Sequence, residues 1–158
     1  MKFVDEVKIT VKAGNGGSGS ASFRREKFIQ FGGPDGGDGG KGGDSVRQGD
    51  QGLNTLVDFR HKRRFDAKNG GSGRGSQMYG KGGDDLIIKV PTGSEVYDLE
   101  TDQKLGDITE HGQTLVIANG GKGGLGNMHF KSSVNRAPKR FTSGDEGDLR
   151  EIKLELKV

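Results

Sequence analysis

Two glycine–lysine pairs, Gly40-Lys41 and Gly121-Lys122, are the first places in this chain where residue type and spacing suggest chemistry. A glycine-rich loop ending in lysine is how a P-loop cradles phosphates, but its pattern G-x-x-x-x-G-K-[ST] also needs a glycine five residues earlier and a hydroxyl after the lysine. Here the earlier positions are Asp35 and Val116, and the following residues are Gly42 and Gly123, so both candidates fail at both points. G-x-G-x-x-G strings are numerous because glycine is, and no helical pattern follows them, so they do not mark a dinucleotide site.

The remaining catalytic and metal chemistries fare no better. His61, His111 and His129 do not pair at metal-ligand spacing, and there is no cysteine to join them. Asp35, Asp38 and Asp44 lack EF-hand spacing and its closing glutamate, and are expected to hydrogen-bond nearby backbone in turns. No nucleophile-elbow string surrounds any serine. The expectation is a binding module with no catalytic residue, no metal site and no cofactor in this chain.

Cations are the better candidates. The net charge is only +3, but its distribution is uneven. Arg60–Arg64 reads RHKRR, and no acid occurs between Glu110 and Asp145, where Lys122, Lys131, Arg136, Lys139 and Arg140 lie. Clustered cations suit a phosphate backbone; the alternative for any one cluster is a solvated charged surface. Three groups adjoin glycine-rich stretches: Arg24, Arg25 and Lys27; Arg74, Tyr79 and Lys81, whose tyrosine suits stacking on an unpaired base; and His129, Lys131, Arg136, Lys139 and Arg140. These are the predicted RNA-contacting residues. Arg24 and Arg25 have a structural alternative, donating to carbonyls that polyproline helices leave open.

What must position them is glycine. Thirty-one of 158 residues are glycine, and they keep a three-residue beat. Gly33, Gly36, Gly39 and Gly42 share one phase of the block GGPDGGDGGKGG, and Gly37, Gly40 and Gly43 a second; Gly120, Gly123 and Gly126 repeat the beat. Three residues per turn is the period of polyproline II, whose N–H and C=O groups need partners on other chains. Glycine lets those chains approach. The blocks near 14–19, 32–43, 70–83, 120–126 and 144–147 are therefore expected to be packed arms; flexible linkers are the alternative.

Between the blocks the pattern is β. Val7, Ile9 and Val11 alternate with polar residues, as do Ile152, Leu154, Leu156 and Val158. Ser20–Phe23, Leu86–Val90 and Leu115–Ala118 are strand candidates, and Glu95–Leu99 with Lys104–Ile108 suggests a hairpin. Leu53–Phe59 suits either a strand or one helical turn. No helical stripe reaches ten residues, so the fold class is all-β, a small barrel or sandwich from one side of which the arms project together. Absence of cysteine, of an h-region and of an apolar span points to a cytoplasmic, non-membrane protein.

The strings SFRREKF (22–28), GGPDGGDGGKGGD (32–44), LNTLVDFR (53–60), KVPTG (89–93), NGGKGGLGN (119–127) and FKSSVNRAPK (130–139) closely resemble the amino-terminal domain of the Obg family of bacterial GTPases, over 1–158. The resemblance implies the Obg fold, a β-barrel carrying glycine-rich polyproline-II helices. It implies docking on the large ribosomal subunit through ribosomal RNA, a role in subunit assembly, and growth and stringent-response control through guanosine tetraphosphate. GTP and Mg2+ are implied for the full-length family protein, whose GTPase domain would follow Glu155–Val158 and is a partner in cis. A monomer is expected. The other reading is a regulatory module that docks on its own GTPase domain or a partner protein. Two departures stand out. Gln30 and Phe31 replace a proline and a lysine usual in the family, removing one expected tip cation. Ser45–Gln51 (SVRQGDQ) is polar where the family tends to be apolar, so a short or frayed edge is expected there.

Overall fold

The computed structural model of the protein describes residues 4–23, 32–132 and 138–157. Among these residues eight strands form two sheets: β1 (Val4–Lys12), β2 (Ser45–Asp50), β3 (Arg64–Asp66), β4 (Leu86–Pro91), β5 (Ser94–Asp98), β6 (Lys104–Ile108), β7 (Thr114–Ala118) and β8 (Leu149–Lys157). The first sheet runs β3-β1-β8-β5-β6 and the second β4-β2-β7. The chain is all-β; its described helical turns are two short 3-10 segments, Val57–Arg60 and Asn127–Phe130. Among the described residues, no helix is long and apolar enough to cross a membrane.

The alternating strands pair as their pattern demands. Val7 lies opposite Leu154 and Ile9 opposite Ile152, and all four are buried. Each such side chain contributes about 1.5–3 kcal/mol through burial. Leu56 and Phe59 join this core from the 53–60 segment, which resolves as a 3-10 turn rather than a strand. It is held where it is by Asp5, whose Oδ2 accepts the Leu56 N–H at 2.7 Å. The β5–β6 hairpin forms around residues 99–103, with Asp98 Oδ1 accepting the N–H groups of Glu100 and Thr101. Gly93, at φ +92°, makes the tight β4–β5 turn that few other residues tolerate.

Two expectations are corrected. The polar stretch at 45–51 does not form a frayed edge: β2 is the middle strand of its sheet, bonded to β4 in parallel and to β7 in antiparallel register. It holds because Val46 and the fully enclosed Arg47 fill opposite faces. Ser20–Phe23 is not a strand. Ser20 bonds to Gly37 and Asn127 as part of the glycine region, and Phe23 makes only an isolated bridge to Pro34.

Three glycine-rich excursions leave the barrel at the C-terminal ends of β1, β3 and β7 and return at the N-terminal starts of β2, β4 and β8. Strand directions bring those ends together within each sheet, so the excursions share one end of the barrel. There they bond to one another every third residue. Gly14, Gly17 and Ser20 donate to Gly43, Gly40 and Gly37; Gly37, Gly40 and Gly43 donate to Arg74, Gly71 and Lys68; Gly121, Gly124 and Asn127 donate to Gly14, Gly17 and Ser20. A β-ladder repeats every second residue, whereas this repeat is that of packed threefold helices. Segment 36–43 is central, using Gly39 and Gly42 toward 121–124 and the carbonyls of Asp38 and Lys41 toward Gly80 and Gly83.

A Cβ on Gly36, Gly39, Gly42, Gly120, Gly123 or Gly126 would collide with a neighbouring backbone carbonyl, well inside 3.0 Å. Gly33 differs: among the described residues a Cβ there would have only Lys131 Nζ nearby, at 3.9 Å.

Candidate nucleic-acid interface

The far end of the glycine lattice carries the candidate side chains. Segments 71–74 and 78–81 fold back on each other, with Gly71 N–H on Lys81 O (2.7 Å) and Arg74 N–H on Met78 O (2.9 Å). Their connecting turn needs left-handed Ser76 and Gln77, at φ 60° and 59°. Asp35, buried in the neighbouring segment, secures that conformation: its Oδ2 accepts Ser76 N–H at 2.9 Å and its carbonyl accepts Gln77 N–H at 2.6 Å. The result brings together Arg74, Tyr79 and Lys81, three of the predicted contact residues, around an open cavity of about 560 Å3 that Met78 also lines. Tyr79 is 64% exposed, which leaves its ring face open to a stacking partner.

A second tip forms around Asn127–Phe130. Asn127 is fully buried and fastens three segments: its Oδ1 accepts Gly36 N–H at 2.9 Å, and its Nδ2 donates to Ser22 O at 2.8 Å and Pro138 O at 3.1 Å. Beside it, Lys131, Lys139 and Arg140 are exposed, Arg140 lying 4.6 Å from the Phe130 ring centroid. His129 is engaged within the lattice, its Nε2 lying 2.8 Å from Asp38 Oδ1, which also accepts Gly126 N–H at 2.8 Å. The other predicted contacts, Arg24, Arg25, Lys27 and Arg136, lie outside the described residues, as do Gln30 and Phe31.

The aspartates were misread from sequence as local turn formers. Asp35, Asp38 and Asp44 accept amides 41, 88 and 76 residues away, from Ser76, Gly126 and Gly120. Burial opposes ionisation of Asp44, but hydrogen bonds from Lys41 and the Gly120 amide win and hold its carboxyl below the usual range. Asn127 was missed altogether; its one sequence signal is that it ends the NGGKGGLGN string on the three-residue beat. The RHKRR cluster lies on the barrel, where Arg60 pairs with Asp5 at 3.3 Å, Arg64 with Asp66 at 3.1 Å, and Lys62 sits over Phe65.

Segment 39–43 does not fit a nucleotide phosphate. Gly39, Gly40, Gly42 and Gly43 all donate their amides to protein carbonyls, and Lys41 Nζ is bound to Asp44 at 2.7 Å. In a P-loop those amides and that lysine face the ligand. Segment 39–43 therefore lacks the free amides and the free lysine with which a P-loop would hold the GTP phosphates that the resemblance implies for the full-length protein. What the arrangement can do is hold two sets of exposed cations, one of them beside the exposed Tyr79, on a hydrogen-bonded scaffold of segments distant in sequence. A family model described as GTP1/OBG matches residues 4–158.

Proposed function

Because the chain belongs to the GTP1/OBG family, we propose that it is the ribosome-docking domain of an Obg-like GTPase, itself non-catalytic, whose arm tips contact ribosomal RNA of the large subunit in the cytoplasm. The observation that supports this most is the hydrogen-bonded lattice ending in exposed Arg74, Tyr79, Lys81, Lys131, Lys139 and Arg140. Long cations on a stiff projection reach phosphates in a recess with little loss of backbone entropy, and an exposed ring offers a sequence-tolerant stacking surface. The barrel anchors the arms and relays docking to a GTPase domain in cis, where GTP and Mg2+ would bind. Subunit assembly and stringent-response control follow from that placement.

The test is co-sedimentation with purified large subunits across a salt series. Wild-type binding should weaken with salt. Arg74→Ala with Lys81→Ala and Lys139→Ala should flatten the log–log slope by about 0.7–0.9 for each phosphate that is no longer neutralised. A salt slope unchanged in the triple variant would sink the proposal.

One observation favours the regulatory reading as a second. On the outer face of the larger sheet Glu6, Glu155, Glu95 and Asp107 stand opposite one another across four strands, beside a row of Lys8, Lys153, Tyr97 and Lys104. Ion pairs of Lys104 with Glu95 and Asp107 and of Lys153 with Glu155 bridge the two rows, and such ordered stripes of opposite charge suit a complementary protein face. Binding to an isolated GTPase domain that survives nuclease treatment would select this reading.

A further inference from the structure

Strand β1 is paired on both sides along only part of its length. All its residues pair with β8, in a register that runs without a bulge. On the other side β3 reaches only Thr10, Val11 and Lys12, so residues 4–9 have no neighbouring strand there. A residue in a strand turns its N–H and C=O to one side, and the next residue turns them to the other. Thr10 N–H donates to Arg63 O at 2.7 Å and Lys12 O accepts Ala67 N–H at 2.9 Å, which puts the even-numbered residues on the β3 side. The N–H and C=O groups of Glu6 and Lys8 therefore point sideways past the edge of the sheet, and among the described residues no hydrogen bond reaches them. Open edges are commonly blunted by a proline or a bulge, and the segment VDEVKITVK has neither.

A cleft of about 360 Å3 lies against this edge, lined by Glu6, Val7, Lys8, Arg60 and Arg63. Two ties bound it along the strand. At one end Asp5 accepts the Leu56 N–H at 2.7 Å and pairs with Arg60 at 3.3 Å; at the other Arg63 O accepts the Thr10 N–H. The open edge between them covers residues 6–8, about 7 Å of strand, which suits a short extended segment. The rim of the cleft is cationic. Lys8 and Arg63 are exposed and make no ion pair among the described residues, and Arg60 is exposed beside them. Glu6 is the one acid in the lining. Lys8 and Arg63 also border a second cleft of about 250 Å3, which continues over the outer face of the sheet to Leu99.

We propose that the open edge of β1 takes up a short, extended, acidic segment of a partner protein as an added strand. The backbone of that segment pairs with the N–H and C=O groups of Glu6 and Lys8, and its carboxylates face Lys8, Arg60 and Arg63. In this mode main-chain hydrogen bonds supply affinity and the flanking side chains supply selection. The unpaired edge offers donors and acceptors in alternation, which another polypeptide backbone matches, and the cationic rim favours an acidic segment over a basic one. The arms leave from the other end of β1, so the proposal stands whether or not their tips bind RNA.

The test titrates 15N-labelled protein with a capped peptide of alternating valine and glutamate, with the same peptide fully N-methylated, and with its valine–lysine counterpart. At ten times its Kd the glutamate peptide should slow hydrogen exchange at the Glu6 and Lys8 amides about tenfold, while the Val7 amide, which faces β8, keeps its rate. The N-methylated peptide, which has no N–H to donate, and the lysine peptide should protect neither amide. Lys8→Gln combined with Arg63→Gln should weaken binding of the glutamate peptide about tenfold. Both side chains are exposed, and the exchange reading on the wild type stands without the variant. No protection at millimolar glutamate peptide, equal protection by either control peptide, or an unchanged Kd in the double variant would overturn the proposal. Protection of the same amides that grows with protein concentration in the absence of peptide would also overturn it, and would assign the edge to a second copy of the chain.

Discussion

Replacing Gly39 with alanine should unfasten the glycine lattice at its centre. Three hydrogen bonds meet there: Gly39 N–H to Gly124 O at 2.9 Å, Gly124 N–H to Gly17 O at 2.8 Å, and Gly17 N–H to Gly40 O at 2.9 Å. A methyl group on Gly39 would fall on the carbonyl of Gly17, with Ser18 O also within 2.9 Å. Backbone cannot swing aside as a long side chain can, so segments 14–20 and 36–43 must part. Three bonds at about 0.5–1.5 kcal/mol each, with a further penalty for any amide left buried and unpaired, give a destabilisation of about 3 kcal/mol or more. For a protein of this size that lowers Tm by roughly 6–12 °C. Gly82→Ala is the control. The nearest neighbour to its added methyl is Lys41 O at 3.8 Å, and fixing the unfolded chain should leave stability unchanged or raise it by up to about 1 kcal/mol. Calorimetry reads the stability, and hydrogen exchange at the Gly17 and Gly124 amides reads the lattice. Wild-type Tm and protection in Gly39→Ala, or an equal fall in Gly82→Ala, would refute close backbone approach as the source of order.

Asn127→Ala removes three hydrogen bonds from a fully buried site, and should cost about 3 kcal/mol by thermal or denaturant unfolding. His129→Ala, which breaks the pairing with Asp38, should lower Tm and leave the salt slope of subunit binding unchanged. Arg47→Met should match or exceed the wild type in stability, by up to about 4 kcal/mol, because an apolar side chain replaces a fully buried charge that no acid among the described residues pairs. Asp98 is held below its usual pKa by the Thr101 amide, with Arg150 at 2.6 Å also favouring the anion against burial. A depressed folded pKa stabilises above the unfolded value of about 3.9 and ceases to as pH falls through the folded value. The stability gap between wild type and Asp98→Asn should therefore be complete near neutrality and shrink in acid, measured as Cm against pH.

Much of this protein was legible in one dimension because its two patterns are periodic. The alternation at Val7–Val11 and at Ile152–Leu156 specified strands with one buried face, and their mutual pairing buries it. The glycine beat specified where helices of threefold period would pack, and Gly36, Gly39 and Gly42 meet neighbouring backbone as that beat required. The exposure of Arg74, Tyr79 and Lys81 was legible because they interrupt a glycine block, which leaves them few bulky neighbours. Tertiary structure decided what no local pattern encodes. Which amide each aspartate would accept depends on segments up to 88 residues away, and a short polar side chain looks the same in a turn as in a lattice. Asn127 became a three-way staple, and His129 a partner of Asp38, only when Gly36, Ser22, Pro138 and Asp38 converged on them. The polar 45–50 stretch became a central strand for the same reason: hydropathy counts side chains one at a time, whereas a strand between two partners is held by their backbones. The period of each segment is written in its own residues, and long-range packing alone determines which segments meet.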